Sequence, residues 1–220
     1  MNDSRPDLPG RTHGILWRFC QSDARRITEA REYAIAAHHG QRRKVSGRPF
    51  VVHPAGVAAI LAAAGFGADV VIAGLLHDAV EDGAATRADI ENRFGNVVWS
   101  LVAGVTNGDC PGSWRERKCR ALRKLEGASP DCLAVKCADA LDNVRSIRRD
   151  LNRFGDLVWR RLRSRTQLKW YFESLSRLFG ARLRDRPGKR LATRFRAQVR
   201  AVFLMNRQME EDDVGSLEFR

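Results

Sequence analysis

His77 and Asp78 interrupt an otherwise apolar run, DVVIAGLLHDAVED from Asp69 to Asp82. An ionised carboxylate is costly to bury alone, so Asp78 needs a compensating partner. A divalent metal provides one: imidazole nitrogen and carboxylate oxygen are both good ligands for first-row ions, and a cation keeps the Asp charged and the His neutral. Glu81 follows His77 by four residues and Asp78 by three, and Asp82 follows Asp78 by four, so on a helix all four share roughly one face. That face predicts a water activated by the metal within reach of a carboxylate base. A second acidic helix reads CLAVKCADALDNVRSI, where Asp139 interrupts the apolar pattern and Asn143 stands one turn further on the same side. Asp139 is the natural remaining ligand.

Helices must carry these residues, and the apolar spacing supplies them. After Ser22 or Asp23, apolar residues at Ile27, Ala30, Tyr33, Ala34 and Ala37 recur at three- and four-residue steps and stop before Gly40. His38 and His39 fall at that helix end, where a cation is mildly favoured, and His13 falls in an N-terminal extension; none is assigned to the metal. Residues 40–52, GQRRKVSGRPFVV, combine Gly, Pro and four basic residues, the composition of an exposed loop that delivers the chain to His53. Pro54 suits a first helical turn because its missing N–H is not needed there, and His53 would cap the helix, which runs to Gly65. Thr86 and Asp89 make a capping-box-like start for a helix up to Gly95. Further helical patterns cover about 96–106 and 115–126, and another runs from Pro130 to about 149 behind Ser129 as N-cap. After Gly155 come two basic amphipathic stretches, 156–179 and about 189–206, separated by the breaker DRPG at 185–188. Strand-like alternation is nowhere sustained, so the fold class is all-α.

Hydrophobic residues make up 44% and charged residues 30% of the 220, which excludes collagen-like, low-complexity and mainly disordered classes and leaves enough chain for a real core. The uncharged stretch after His53, Pro54 to Ala68, is Ala- and Gly-rich and ends at Asp69, too short to span a bilayer. The N-terminal MNDSRPDLPGRTHG lacks an apolar segment with a cleavage site, so the cytoplasm is the expected compartment. Five cysteines, Cys20, Cys110, Cys119, Cys132 and Cys137, are an odd number without a C-x-x-C pair and read as reduced thiols. The net charge of +13 is uneven: residues 1–110 hold 12 Lys/Arg against 12 Asp/Glu, whereas 111–220 hold 27 against 14. An anionic partner or substrate follows, although Arg outnumbers Lys 33 to 6 and an Arg-favouring codon usage is an alternative source of the excess.

Four segments appear in order: HHGQRRKVSGRPFVVHP, GLLHDAVEDG, FGNVVWSLVAGVTN and KCADALDNVRSI. Together they resemble the HD-superfamily (p)ppGpp hydrolase domain of RelA/SpoT-type alarmone proteins, and within that family the stand-alone small alarmone hydrolases of the metazoan SpoT homologue type. The likeness runs from about Asp23 to about Leu178. It implies an HD-domain helical bundle over 23–180, with an N-terminal extension at 1–22, a basic C-terminal helical extension at 181–207 and an acidic, mobile tail at 208–220.

The resemblance makes His53, His77, Asp78 and Asp139 the ligands of one Mn²⁺ per chain and matches Glu81 and Asp82 to the pair that activates water. It also matches Arg43, Lys44 and Ser46 to a guanine- and phosphate-contacting loop, and Asn143, Arg145 and Ser146 to a nucleoside-contacting motif. Guanidinium planes that stack on bases and basic side chains that favour diphosphates agree with that assignment. Three positions depart from the family pattern: Val45 is inserted between Lys44 and Ser46, Gly83 replaces Thr, and Cys137 replaces Leu. The implied activity is Mn²⁺-dependent hydrolysis of the 3′-diphosphate of guanosine tetra- or pentaphosphate to GDP or GTP and pyrophosphate. Two alternatives stand beside it. One keeps the site and changes the substrate, to NADPH or a nucleoside monophosphate. The other is a binding module, in which the Arg-rich helices grip RNA or a partner, or the chain neutralises an alarmone synthetase as an antitoxin would. Self-association into a homo-oligomer is left open.

Overall fold

Helix starts are local events, and two of them are made by the capping residues read in the sequence. The computed structural model describes residues 13–81, 83–106, 108 and 111–204. The Thr86 hydroxyl accepts from the Asp89 N–H while the Asp89 carboxylate accepts from the Thr86 N–H, a closed capping box that launches α4 (Arg87–Phe94). Ser113 and Glu116 repeat the device for α6 (Trp114–Glu126). Ser129 caps α7 (Pro130–Phe154) with Pro130 in its first turn. The remaining helices are α1 (Gln21–Ala37), α2 (Val52–Ala64), α3 (Ala68–Glu81), α5 (Asn96–Val105), α8 (Leu157–Arg161), α9 (Arg165–Arg182) and α10 (Arg186–Leu204), preceded by a 3₁₀ turn at His13–Arg18. No strand occurs among the described residues, only an isolated antiparallel bridge between Arg42 and Pro49, so the fold is all-α.

Four boundaries differ from the sequence expectation. The first turn of α2 opens at Val52, so His53 lies inside it rather than capping it. The basic stretch 156–179 is broken at 162–164, where Ser164 caps α9 by accepting from the Gln167 N–H. Helix α7 runs five residues beyond 149, to Phe154. The two basic helices part just before DRPG as read, but α10 already begins inside it, at Arg186 rather than about 189, because a proline in a first turn forfeits no needed N–H. The expected tail at 208–220 lies outside the described residues.

Helix α3 is the axle of the bundle: from Val70 to His77 every residue is buried, and α1, α2, α5 and α7 pack around it. Side chains such as Leu61, Ile72, Leu76 and Leu133, at 0% to 1% exposure, contribute about 1.5–3 kcal/mol each through burial. The α2–α3 contact is close because Gly74 has no side chain: a Cβ there would fall 2.7 Å from Leu61 Cδ1 and 3.2 Å from Val57 Cγ1. The C-terminal helices belong to the same core. Phe195 of α10 meets Phe179 and Phe172 of α9 with ring centroids 5.5 and 6.2 Å apart, and α10 also packs on α7. Arg186, Lys189, Arg190, Arg194, Arg196 and Arg200 are left on its exposed side. Cys132 and Cys137 are buried free thiols, and Cys20 and Cys119 are free as well. No helix among the described residues is long and apolar enough to cross a membrane.

Candidate functional site

Three mutually packed helices bring the predicted ligands together: α2 offers His53 from its first turn, α3 offers His77 and Asp78 from its last turns, and α7 offers Asp139 from its middle. Ligand atoms of His53, His77 and Asp139 all lie within 4.8 Å of one another. His53 Nε2 is 3.2 Å from Asp139 Oδ1 and 3.5 Å from Asp78 Oδ2. His77 Nε2 is 3.2 Å from Asp78 Oδ1 and 3.9 Å from Asp139 Oδ1.

The outer contacts of the two rings decide which nitrogen faces this point. His77 Nδ1 donates to the Gly74 carbonyl at 3.0 Å, so its Nε2 carries the lone pair. That Nε2 is buried and makes no hydrogen bond among the described residues. His53 Nδ1 lies 2.8 Å from Asp142 Oδ2, leaving its Nε2 to the site as well. Two buried imidazoles with outward nitrogens tied and inward nitrogens aimed at carboxylates are the arrangement of metal-binding histidines and their supporting shell. The orphaned His77 nitrogen shows that these residues fit a divalent cation.

Electrostatics points the same way. Burial pulls the His53 pKa down, but hydrogen bonds to Asp139 and Asp142 outweigh it and raise the pKa to about 9. Burial pushes Asp139 up, yet Lys136, His53 and His77 hold its carboxyl well below the usual range. Lys136 is itself buried, and despite burial the nearby Asp139 raises its pKa and keeps it cationic, with Nζ donating to Asp139 Oδ2 at 2.7 Å. The same carboxylates that raise the His53 pKa favour positive charge at the point where these residues would hold a cation.

The other predicted residues divide. Asn143 Nδ2 donates to Asp139 Oδ1 at 2.6 Å, and Arg43 donates to Asn143 Oδ1 at 3.0 Å, so a chain of hydrogen bonds links the basic loop to the metal point. Arg43 also lies 5.8 Å from the Phe50 ring. Arg43, Lys44, Asn143 and Ser146 line a cavity of about 720 Å³ whose wall includes Asp139, whereas Ser46 and Arg145 stand off that wall. Glu81 ends α3, exposed, and its charge is felt by Lys118, Lys136 and Tyr171 on the cavity wall. Asp82 lies outside the described residues. His38, read as a helix-end residue, is the C-cap of α1 and is buried there, with its ring 4.9 Å from Phe50 and Nδ1 2.9 Å from Gln41 Oε1.

Several wall residues were not singled out from sequence. Lys118 of α6, Arg161 of α8 and Arg163 add positive charge, and Trp114 and Tyr171 add an aromatic edge with ring centroids 5.9 Å apart. Lys118 Nζ sits 4.9 Å above the Tyr171 ring, and burial lowers its pKa. The Tyr171 hydroxyl is buried without a hydrogen-bond partner among the described residues, and burial raises its pKa. Only Asp142 had a signal to find, the one that marked Asp78: a carboxylate inside an apolar helical face.

A family model described as HD domain matches residues 30–168. The guanosine-3′,5′-bis(diphosphate) 3′-pyrophosphohydrolase of Homo sapiens is 37% identical over 162 residues, covering 72% of this chain and 88% of that protein. The GTP pyrophosphokinase of Streptomyces coelicolor is 40% identical over 130 residues, 58% of this chain, but the match spans only 15% of that longer protein. Among solved structures, a protein from Listeria monocytogenes EGD-e superposes with a TM-score of 0.63 at 36% identity, covering 69% of this chain and 98% of that one. A metazoan ortholog of SpoT, described as hydrolysing ppGpp, superposes with a TM-score of 0.62 at 26% identity, covering 82% and 95%.

Proposed function

This chain belongs to the HD domain family, which implies a divalent metal, and from that premise we propose that it is a hydrolase that removes the 3′-diphosphate of guanosine tetra- or pentaphosphate, leaving GDP or GTP and releasing pyrophosphate. One observation carries the reading: His53, His77, Asp78 and Asp139 converge on a point whose cavity is walled by Arg43, Lys44, Lys118, Lys136, Arg161 and Arg163. A metal point opening into a strongly cationic pocket suits a substrate with several phosphates.

The cation we assign is Mn²⁺, one per chain, because a mixed imidazole and carboxylate set suits that class of ion. When bound it supplies Lewis acidity, neutralising phosphoryl oxygens and lowering the pKa of water. Glu81 and Asp82 orient the attacking water and accept its proton, Glu81 from the end of α3 one turn beyond His77 and Asp78. Arg43 and Lys44 hold the leaving nucleotide, Asn143 and Ser146 contact its sugar side, and Ser46 and Arg145 complete the substrate-binding set. Lys136 restrains Asp139 by occupying its outer oxygen. The hydrolase unit spans 23–180, followed by the basic extension at 181–207 whose α10 packs on α7 and α9, and acts in the cytoplasm.

The test is incubation of purified protein with Mn²⁺ and guanosine tetraphosphate, with products resolved by anion exchange beside NADPH and a panel of nucleoside monophosphates. GDP and pyrophosphate in equal amounts, abolished by chelator, are expected. Equal turnover across the panel, or no pyrophosphate, would count against the assignment.

A further inference from the structure

Asp139, Asn143, Ser146 and Asp150 follow one another on α7 at steps of four, three and four, which places them on one face, and all four line the same cavity. Asp150 lies eleven residues from the metal end, about 16 Å along the helix at roughly 1.5 Å per residue. The cavity therefore has two chemically unlike ends. One holds Asp139, bonded to Lys136 and within the field of Lys118, and the other holds Asp150, on which the charges of Arg43 and Arg48 act.

Asp150 is an anomaly there. Only 9% of its surface is exposed, yet among the described residues its carboxylate forms no hydrogen bond or ion pair. Burial raises its pKa, and Arg149, Arg43, Arg153 and Arg48 pull the other way from beyond ion-pair distance. A carboxylate that lines a cavity without a protein donor can accept hydrogen bonds from whatever fills the cavity.

We propose that Asp150 reads the base of the nucleotide: its two oxygens accept the N1–H and 2-amino hydrogens of guanine, making the cavity selective for guanine over adenine. The inference rests on the nucleotide reading above and adds the specificity determinant. Guanine presents those two donors side by side, matching the fork of a carboxylate. Adenine presents a bare ring nitrogen there and no 2-amino group, so it would leave Asp150 buried and unpaired and place a lone pair against its charge. Lys118 and Lys136 draw the phosphates toward Asp139, eleven residues along α7 from Asp150, so the nucleotide lies with its base toward Asp150. Arg43 provides a guanidinium plane for the face of the base.

The experiment is equilibrium binding of GDP, IDP and ADP, by calorimetry, to the full chain and to Asp150→Asn and Asp150→Glu. The native chain is expected to bind GDP roughly tenfold to hundredfold tighter than ADP, the range of one bidentate base contact, with IDP, which lacks the 2-amino group, between them. Asp150→Asn should lose most of that preference, GDP binding more weakly and ADP more tightly once the unpaired charge is gone, and Asp150→Glu should recover part of it. For the bis(diphosphate) substrate, KM should rise in Asp150→Asn while kcat at saturation holds. Equal affinity of the native chain for GDP, IDP and ADP overturns the proposal without reference to any variant. So does an unchanged preference in a variant that melts like the native chain. Binding of a product needs no turnover, so absent hydrolysis would sink the functional reading alone, and absent base preference would sink this one alone.

Discussion

The carboxylate of Asp142 stands 2.8 Å from Nδ1 of His53, on the opposite side of the ring from Asp78 and Asp139. It reaches that place because α2 and α7 meet at Gly56, where a Cβ would fall 2.6 Å from Asp142 Oδ1. Asp142 thus fixes the tautomer and the aim of a ligand 89 residues away in sequence. Asp142→Ala should weaken metal binding by about 10–100-fold while leaving the four proposed ligands in place, as read by calorimetric titration with Mn²⁺. An unchanged affinity would mean that His53 is oriented by packing alone.

The ligand and base assignments separate in their readouts. His77→Ala or Asp78→Ala should abolish metal retention, measured as ion content after gel filtration. Glu81→Ala should keep the ion and lose turnover by about 10²–10⁴-fold, the range for removal of a general base. Hydrolysis by Asp78→Ala protein in chelator would refute the metal centre.

Metal-free protein should carry its site as a pH-dependent stability. The His53 pKa is raised from 6.5 to about 9, because its hydrogen bonds to Asp139 and Asp142 outweigh the burial that lowers it. A raised pKa means stability fully present below 6.5 and lost as pH climbs through about 9. The loss is up to about 3 kcal/mol, at about 1.4 kcal/mol per unit. Urea unfolding of chelator-treated protein across that window should show the decline. Metal-loaded protein should resist it, because there the imidazole is already neutral, and loading at neutral pH should release about one proton. A flat metal-free profile would remove the proton from His53.

Gly74→Ala should cost about 1–3 kcal/mol, since its Cβ would crowd Leu61 and Val57 in a filled interface. Thermal melting reads that as a fall of several degrees. Because α2 and α3 carry His53 and His77, Mn²⁺ affinity should fall with it. A melting loss with intact affinity would show that the interface can give way without moving the ligands.

Sequence by itself determined the local events. Thr86 with Asp89, Ser113 with Glu116, and Ser129 with Pro130 each start a helix through hydrogen bonds that span three residues. The apolar period of α3 likewise buries His77 in any fold that gives the helix a core. The same physics marked His77, Asp78 and Asp139, because a polar group on an apolar face is a cost visible without knowing what lies opposite. What lies opposite was decided by tertiary structure alone. The pairing of Asp142 with His53, the approach of His53 to Asp78 and Asp139, and the meeting of Lys118, Tyr171 and Asp150 around one cavity all join residues from different helices. The break at 162–164 was hidden for a related reason: the apolar spacing of 156–179 suits one helix, yet the chain turns there and restarts at the Ser164 cap. Periodicity and caps act over one or two turns, whereas the facing of helices depends on close approaches such as Gly56 and Gly74, whose partners are set only when the whole core packs.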